Sequence, residues 1–414
     1  MGWGLVAASR AQLLSQCTTL DEAVRQDATI VDMCSESRRV TGGPRPRSAA
    51  CVARSVCTSL WKLTRSLLVM YYDDQSRMHT QRSILWSRRY RRLTVDECRA
   101  AEAKGKVIVD GAAYSPAMVP YTEREAKRLD TRSNVVWPKL WCTKHGKKKA
   151  FELIRDAAVE WHHEHYVDGS GRNFISFHGA EPFVYPYNDT AARELATRCC
   201  ASTFGEADSM VSEALKVIGE TQTVNIQTID TDMILQVLVS RNAHAWQSVR
   251  LRLLNETLDA GALTREFGGA DYAKRLTAAF WMLACNGVDY CKGLTRFGYG
   301  TKTLMELARH ADPILFEVLE GTARFEAGTF LTVLAATKRR RVKGQDFCNF
   351  HSEVNAMLFC LSLFSGAMHN RMPCGGPDLR TEVVTNTHPP TPFNDATIAN
   401  ATAPTVAVVV ALGW

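Results

Sequence analysis

The stretch TVNIQTIDTDMILQVLV, residues 223–239, places two closely spaced acids inside an otherwise apolar sequence. Residues 223–229 are mostly β-branched or apolar, which is typical of a buried strand. Asp230 and Asp232 follow directly, and an apolar run resumes after them. Two carboxylates about 4 Å apart repel each other by on the order of 4 kcal/mol at an effective dielectric constant near 20. The sequence therefore predicts that a positive group offsets this repulsion.

Strand-like and helix-like segments alternate along the rest of the chain. The apolar segments 28–33, 67–72 and 106–111 are predicted to be three strands. A helical pattern leads into the second of them. A helical pattern at 202–220 leads into the quoted strand, and 271–311 reads as two helices joined by a glycine-rich loop. This alternation predicts an α/β fold with a mainly parallel sheet flanked by helices.

Acidic residues recur where these strands end. Ligands of open parallel sheets bind in the crevice at the carboxyl ends of the strands. An acid in such a position is by itself usually a helix cap or a surface group. Two acids of the helical segment 202–220 and one that follows a glycine turn join those at the strand ends. The ordered set predicts one shared crevice for seven carboxylates: Asp32, Asp73, Glu206, Asp208, Asp230, Asp232 and Asp289. Carboxylate oxygens suit Mg²⁺ or Mn²⁺, and two such ions stabilise the attacking and leaving oxygens of a phosphoryl displacement.

The bulk composition narrows the class of protein. The 414 residues are 46% hydrophobic, which is enough for one large domain or two ordinary ones. The net charge is +7, and the positive charge is clumped at 88–92, 144–149 and 338–343. Such clumps indicate either a polyanionic partner or a solvated surface. The last of them, KRRRVK, reads as a nuclear-import signal or a nucleic-acid patch.

The cysteines and apolar runs bear on the compartment. Thirteen cysteines without any CxxC pair argue against a zinc ribbon and favour a reducing environment. The longest apolar run, at 406–412, is too short to span a bilayer. We therefore expect an intracellular, nuclear protein without a membrane partner. The segment WHHEHYVDG at 161–169 lacks the spacing of a zinc helix, and we expect a polar helix surface there.

The order of the motifs resembles the flap endonuclease and XPG family of structure-specific nucleases, whose fold is PIN-like. The resemblance covers roughly residues 1–92 and 200–311. The motifs that carry it are MG at the N-terminus, IVDMCS, YYDDQS with the basic RSILWSRRYRR, GEADSM, IDTDM, and NGVDYC opening a helix–hairpin–helix.

The resemblance implies a metal-dependent, structure-specific endonuclease that hydrolyses DNA of the flap or 5′-end type with two Mg²⁺ or Mn²⁺ ions. It implies that the seven acids bind these ions. It also assigns phosphate steering to Arg82, Arg88 and Arg89 and a nucleic-acid contact to Gly2. Independently of the resemblance, Gly298 and Gly300 precede a helical pattern whose N-terminus suits a phosphate, and Lys302 adds a cationic contact. An RNA endonuclease on the same scaffold and a catalytically silent nucleic-acid-binding protein remain alternatives. Two residues could be the acid at the end of the family's second strand: Asp73, or Asp110 in the motif VDG. Asp73 is favoured because a helix and then a strand precede it, as in the family.

The resemblance suggests four regions along the chain. Residues 1–92 form an N-terminal nuclease region, 93–200 an arch or insertion, 201–330 an internal nuclease region with the helix–hairpin–helix, and 331–414 a basic segment and a disordered tail. The stretch 93–200 does not align with the family's arch, and the usual sliding-clamp motif is not evident in the tail. These departures suggest a divergent member, such as a viral one.

Overall fold

The computed structural model describes part of the chain between residues 25 and 286. The described residues are 25–43, 45–73, 92–165, 170–177, 182–186, 190–199, 207–219, 221–228, 232–246, 248–253 and 256–286. The second half of the predicted helix–hairpin–helix and the region 331–414 lie outside them.

Within these residues nine strands and eleven α-helices are defined. The strands are β1 Gln26–Asp32, β2 Thr64–Tyr71, β3 Val107–Val109, β4 Ala112–Tyr114, β5 Asn173–Phe177, β6 Pro182–Tyr185, β7 Thr223–Thr228, β8 Ser248–Leu253 and β9 Glu256–Asp259. The helices are α1 Met33–Thr41, α2 Ala49–Leu63, α3 Val95–Glu102, α4 Glu123–Lys127, α5 Trp137–Trp141, α6 Lys144–His165, α7 Thr190–Cys199, α8 Ala207–Ile218, α9 Asp232–Val239, α10 Ala260–Glu266 and α11 Tyr272–Asn286. Short 3₁₀ helices span Pro116–Met118 and Arg241–Ala245.

Seven strands form the central sheet, in the order β6-β5-β2-β1-β7-β8-β9. The five inner strands run parallel to one another, and the edge strands β6 and β9 are antiparallel to their neighbours. This arrangement confirms the predicted α/β fold with a mainly parallel sheet. In the register of the sheet, Asp32 lies opposite Tyr71 and Val31 opposite Gln227, so β1, β2 and β7 end at the same edge.

Burial explains why β1 and β2 read as continuous apolar runs. Parallel strands covered on both faces bury successive residues rather than alternate ones. All but one residue of β1 and the last five of β2 are buried. Helices α2 and α8 both pack against these two strands, and α6 packs against α2. The centre of the sheet thus lies between helical layers, with its carboxyl edge opening where the helices begin.

One segment differs from the sequence-based expectation, and another adds strands to the central sheet. The predicted third strand, at 106–111, is not part of the central sheet: it forms β3, which pairs only with β4 in a separate two-stranded sheet. Part of the region 93–200 contributes β5 and β6 to the central sheet, beside β2. No helix among the described residues has the length and apolar character needed to cross a bilayer.

Candidate functional site

Asp32 ends β1 and caps the N-terminus of α1. Its Oδ1 accepts hydrogen bonds from the backbone N–H groups of Cys34 at 2.9 Å and Ser35 at 3.4 Å. Its Oδ2 accepts bonds from the Ser35 hydroxyl and, at 3.2 Å, from the hydroxyl of Thr228 at the end of β7. An acid at this position is stabilised by the orphan N–H groups and the dipole of the helix. Asp32 is buried and is fixed between the ends of two neighbouring strands.

Asp73 lies just beyond the end of β2 and is 1% exposed. Its Oδ2 is 2.9 Å from Nζ of Lys147, a residue of α6 that is 2% exposed. Its Oδ1 accepts a hydrogen bond of 3.2 Å from the N–H of Ala207, the first residue of α8. The Lys147 ammonium also lies 5.4 Å from the centre of the Phe151 ring. A buried carboxylate therefore joins β2 to the beginnings of two helices.

Cys34 links the two aspartates. Its backbone N–H bonds Asp32, and its Sγ accepts a hydrogen bond of 3.2 Å from the N–H of Asp73. Burial raises the pKa of the Cys34 thiol well above its usual value, and the nearby charges of Asp73 and Asp32 raise it further. Asp32 and Asp73, at the carboxyl ends of β1 and β2, thus both contact Cys34, as expected if they share a crevice at this edge.

Glu36 is a further acid at this edge that the sequence analysis did not identify. It is buried, accepts a hydrogen bond of 2.9 Å from Nε2 of Gln227 on β7, and forms an ion pair with Arg39. The available signal was its position four residues after Asp32, a spacing that places two side chains on one side of a helix. Its contact with Gln227 ties α1 to the end of β7.

Lys147 was also missed as an individual residue. The sequence shows it only as part of the basic run KHGKKK, and its neighbour Lys148 is exposed. Tight packing of α6 against α5 buries this turn: a Cβ on Gly146 would lie 2.0 Å from the carbonyl oxygen of Leu140. The basic run alone gives no signal for which of its lysines is buried.

Two more predicted ligands are described by their backbones alone. Asp208 is the second residue of α8, so it directly follows the N–H group that bonds Asp73. Asp232 is the first residue of α9 and comes four residues after Thr228, which bonds Asp32. Helix α8 therefore begins beside Asp73, and α9 begins four residues after a residue that contacts Asp32.

The remaining predicted site residues lie outside the described part of the chain: Gly2, Arg82, Arg88, Arg89, Glu206, Asp230, Asp289, Gly298, Gly300 and Lys302. The rival Asp110 is described and lies in the turn between β3 and β4. Of the two alternatives, Asp73 is the one at the end of a strand of the central sheet.

The histidines of α6 take different surroundings. His162 is buried, stacks on Phe174 with ring centres 3.7 Å apart, and accepts a hydrogen bond of 2.9 Å from Nε1 of Trp61. Exposed His163 contacts Tyr185 edge-on, and His165 stacks on Trp161. The expectation of a polar helix surface is therefore wrong for His162, which packs into the core because its neighbours are aromatic.

The donor chemistry at this edge suits a hard divalent cation. Asp32 and Asp73 present carboxylate oxygens, the Thr228 hydroxyl lies beside Asp32, and Mg²⁺ prefers oxygen ligands. Among the described residues, however, no group of three or more His, Cys, Asp or Glu side chains is arranged to hold a metal ion. Lys147 supplies one positive charge at Asp73. A complete metal site would need acids from beyond the described side chains.

Comparisons with known proteins add little. No family model and no curated protein sequence matches the chain. Among solved structures, the chain is similar to a flap endonuclease of bacteriophage T5, crystallised as a pseudo-enzyme–product complex with DNA and metal ions. The TM-score is 0.38 and the identity 13%, over 90% of this chain and 99% of that chain. A similarity of this size carries no argument about function, which is therefore inferred from the sequence motifs and the described geometry.

Proposed function

We propose that the chain is a divalent-metal-dependent nuclease whose active site lies at the carboxyl ends of β1, β2 and β7. The observation that carries the proposal is the convergence of Asp32 and Asp73 on Cys34, with α8 beginning at Asp73. Buried acids cost free energy unless a hydrogen-bonded or charged partner compensates them. Their concentration at the edge where parallel sheets bind ligands favours a functional role.

Asp32 and Asp73 would hold Mg²⁺ or Mn²⁺ together with the other acids of the predicted set. Asp208 is the second residue of α8, whose first N–H bonds Asp73, and Asp232 is the first residue of α9. Glu206, Asp230 and Asp289 complete the proposed set. Bound ions of this type generate a hydroxide nucleophile and stabilise charge on phosphate oxygens.

The described contacts explain how the chain itself would orient the acids. The α1 N–H groups and the Thr228 hydroxyl hold the Asp32 carboxylate, and the Ala207 N–H holds Oδ1 of Asp73. Carboxylates fixed in this way need little rearrangement when a ligand arrives, which is what precise metal sites require. Arg82, Arg88 and Arg89 would then bind the phosphate through their planar guanidinium groups.

The proposed substrate is branched DNA of the flap or 5′-end type, with single-stranded RNA as the alternative. Two glycines followed by a lysine, at Gly298, Gly300 and Lys302, suit a phosphate of either nucleic acid. A second candidate function is a catalytically silent nucleic-acid-binding protein. The ion pair between Asp73 and Lys147 favours that candidate, because it compensates the acid without a metal ion.

A cleavage assay separates these functions. Labelled 5′-flap DNA, plain duplex DNA and single-stranded RNA are incubated with the full chain, with Mg²⁺ or with EDTA. The variant Asp32→Asn retains an amide oxygen for the helix cap but removes the charge, and Asp96→Asn changes an exposed acid as the matched control. Mg²⁺-dependent cleavage that falls at least about 100-fold only in Asp32→Asn supports the proposal.

Each other outcome has a defined meaning. Cleavage of RNA alone assigns the RNA endonuclease. Binding of nucleic acid without turnover, with circular dichroism showing a folded protein, assigns the silent binding protein. Cleavage that survives Asp32→Asn unchanged would remove the proposed site.

A further inference from the structure

Lys147 is a buried cation at this edge of the sheet, and hydrogen bonding and helix packing hold its backbone in place. It lies in the first turns of α6, where its N–H donates to the carbonyl oxygen of Thr143 at 2.9 Å. The preceding Gly146 allows α5 to approach closely, since a Cβ there would meet Leu140 at 2.0 Å. The aliphatic part of Lys147 is buried beside Phe151, and its ammonium reaches Asp73. The buried position of the Lys147 side chain therefore follows from the packing of α6.

The two oxygens of Asp73 have different partners. Oδ1 accepts the N–H of Ala207, a bond made by the backbone of α8. Oδ2 lies 2.9 Å from the Lys147 ammonium. A divalent cation that binds Asp73 without disturbing α8 would approach Oδ2. It would meet the ammonium there, and two positive charges so close in a buried site repel each other strongly.

We propose that Lys147 is an internal counter-ion that occupies Oδ2 of Asp73 in the metal-free protein and is displaced when a divalent cation binds. This inference rests on the proposed function, which places that cation at Asp73. It makes the lysine a competitor: the apparent affinity for the cation equals the intrinsic affinity multiplied by the fraction of molecules in which Asp73 is released from Lys147. The same residue keeps the buried acid compensated before the ion arrives.

Binding of Mn²⁺ to the full chain, measured by electron paramagnetic resonance of the free ion, tests the inference. The variants are Lys147→Met, which removes the charge and keeps the apolar length, and Lys147→Gln, which retains a hydrogen-bond donor for Asp73. Lys148→Met removes an exposed charge one residue away and serves as the matched control. We expect Lys147→Met and Lys147→Gln to bind Mn²⁺ about 5- to 150-fold more tightly than the wild type, the usual range of coupling between two sites. Lys148→Met should differ by less than about twofold, because exposed charges are screened.

A wild-type measurement accompanies the variants, so that the test does not depend on their folding. Acetylation of lysines followed by peptide mass spectrometry should show Lys147 reacting faster with saturating Mn²⁺ than with EDTA, while Lys148 is unchanged. Equal or weaker Mn²⁺ binding in both Lys147 variants, or Lys147 acetylation unaffected by Mn²⁺ that binds, would overturn the inference.

Failure of the inference and failure of the proposed function are distinguishable. If the wild type binds Mn²⁺ and cleaves nucleic acid but Lys147 does not respond, the nuclease proposal stands and the counter-ion role falls. If neither the wild type nor any variant binds Mn²⁺ or cleaves a substrate, both fall together.

Discussion

Breaking the buried pair of Asp73 and Lys147 should strongly destabilise the metal-free protein. The charged atoms are 2.9 Å apart, and the side chains are 1% and 2% exposed. At that distance the Coulomb attraction is about 6 kcal/mol for an effective dielectric constant near 20, and desolvation opposes much of it. Removing one partner of a buried pair leaves an uncompensated charge, which costs about 3–5 kcal/mol. We therefore expect Lys147→Met and Asp73→Leu each to lower the free energy of unfolding by about that amount.

The double variant distinguishes the pair from its separate parts. Lys147→Met combined with Asp73→Leu removes both charges of this ion pair, so the loss of stability in the double variant should be clearly smaller than the sum of the two single losses. Thermal unfolding in EDTA, followed by circular dichroism, measures all three. At about 2–4 °C per kcal/mol for a domain of this size, the single variants should melt about 6–20 °C lower.

The matched control is an exposed ion pair. Arg99 and Asp96 are 3.7 Å apart with side chains 76% and 95% exposed, and Arg99→Met should leave the melting temperature unchanged because such pairs contribute little. The reasoning is refuted if Lys147→Met melts like the wild type, or if the two single effects simply add in the double variant.

Two further predictions concern residues that support the site. Burial lowers the pKa of His162 to about 4. Between this value and about pH 6.5 the unfolded chain binds a proton that the native protein does not. The free energy of unfolding should therefore fall by on the order of 3 kcal/mol as the pH is lowered from about 6.5 to 4. Urea unfolding across this range should show a flatter dependence in His162→Gln, and an unchanged slope would contradict the prediction. Gly146→Ala should destabilise by about 1–3 kcal/mol, because its Cβ meets the carbonyl oxygen of Leu140. Urea midpoints measure this, with Gly105→Ala, at an open turn with positive φ, separating backbone strain from crowding.

The sequence predicted the strands that carry the acids. In β1, β2 and β7, runs of apolar and β-branched residues end next to acids, and this pattern is local. Parallel pairing then follows from the helices between the strands. The edge at which Asp32 and Asp73 meet could therefore be expected before their contacts were known.

The sequence did not predict the features that depend on distant packing. Lys147 and Asp73 are 74 residues apart, and nothing local distinguishes this lysine from the exposed Lys148. The segment 106–111 was assigned to the wrong sheet because Asp110 and Gly111 both have positive φ, at 50° and 78°. An Asp-Gly pair of this kind turns a chain into a tight hairpin, so β3 pairs with the strand that follows it. The Asp110-Gly111 turn, and not the apolar character of the segment, therefore determines which strand β3 pairs with.

The most direct test of the account is the location of divalent ions in crystals of the full chain grown with Mn²⁺, read from anomalous scattering. We expect manganese peaks at the carboxyl ends of β1 and β2, bonded to oxygens of Asp32 and Asp73, with the Lys147 ammonium moved away from Oδ2 of Asp73. Manganese bound elsewhere, or no peak at this edge while Lys147 still contacts Asp73, would contradict it.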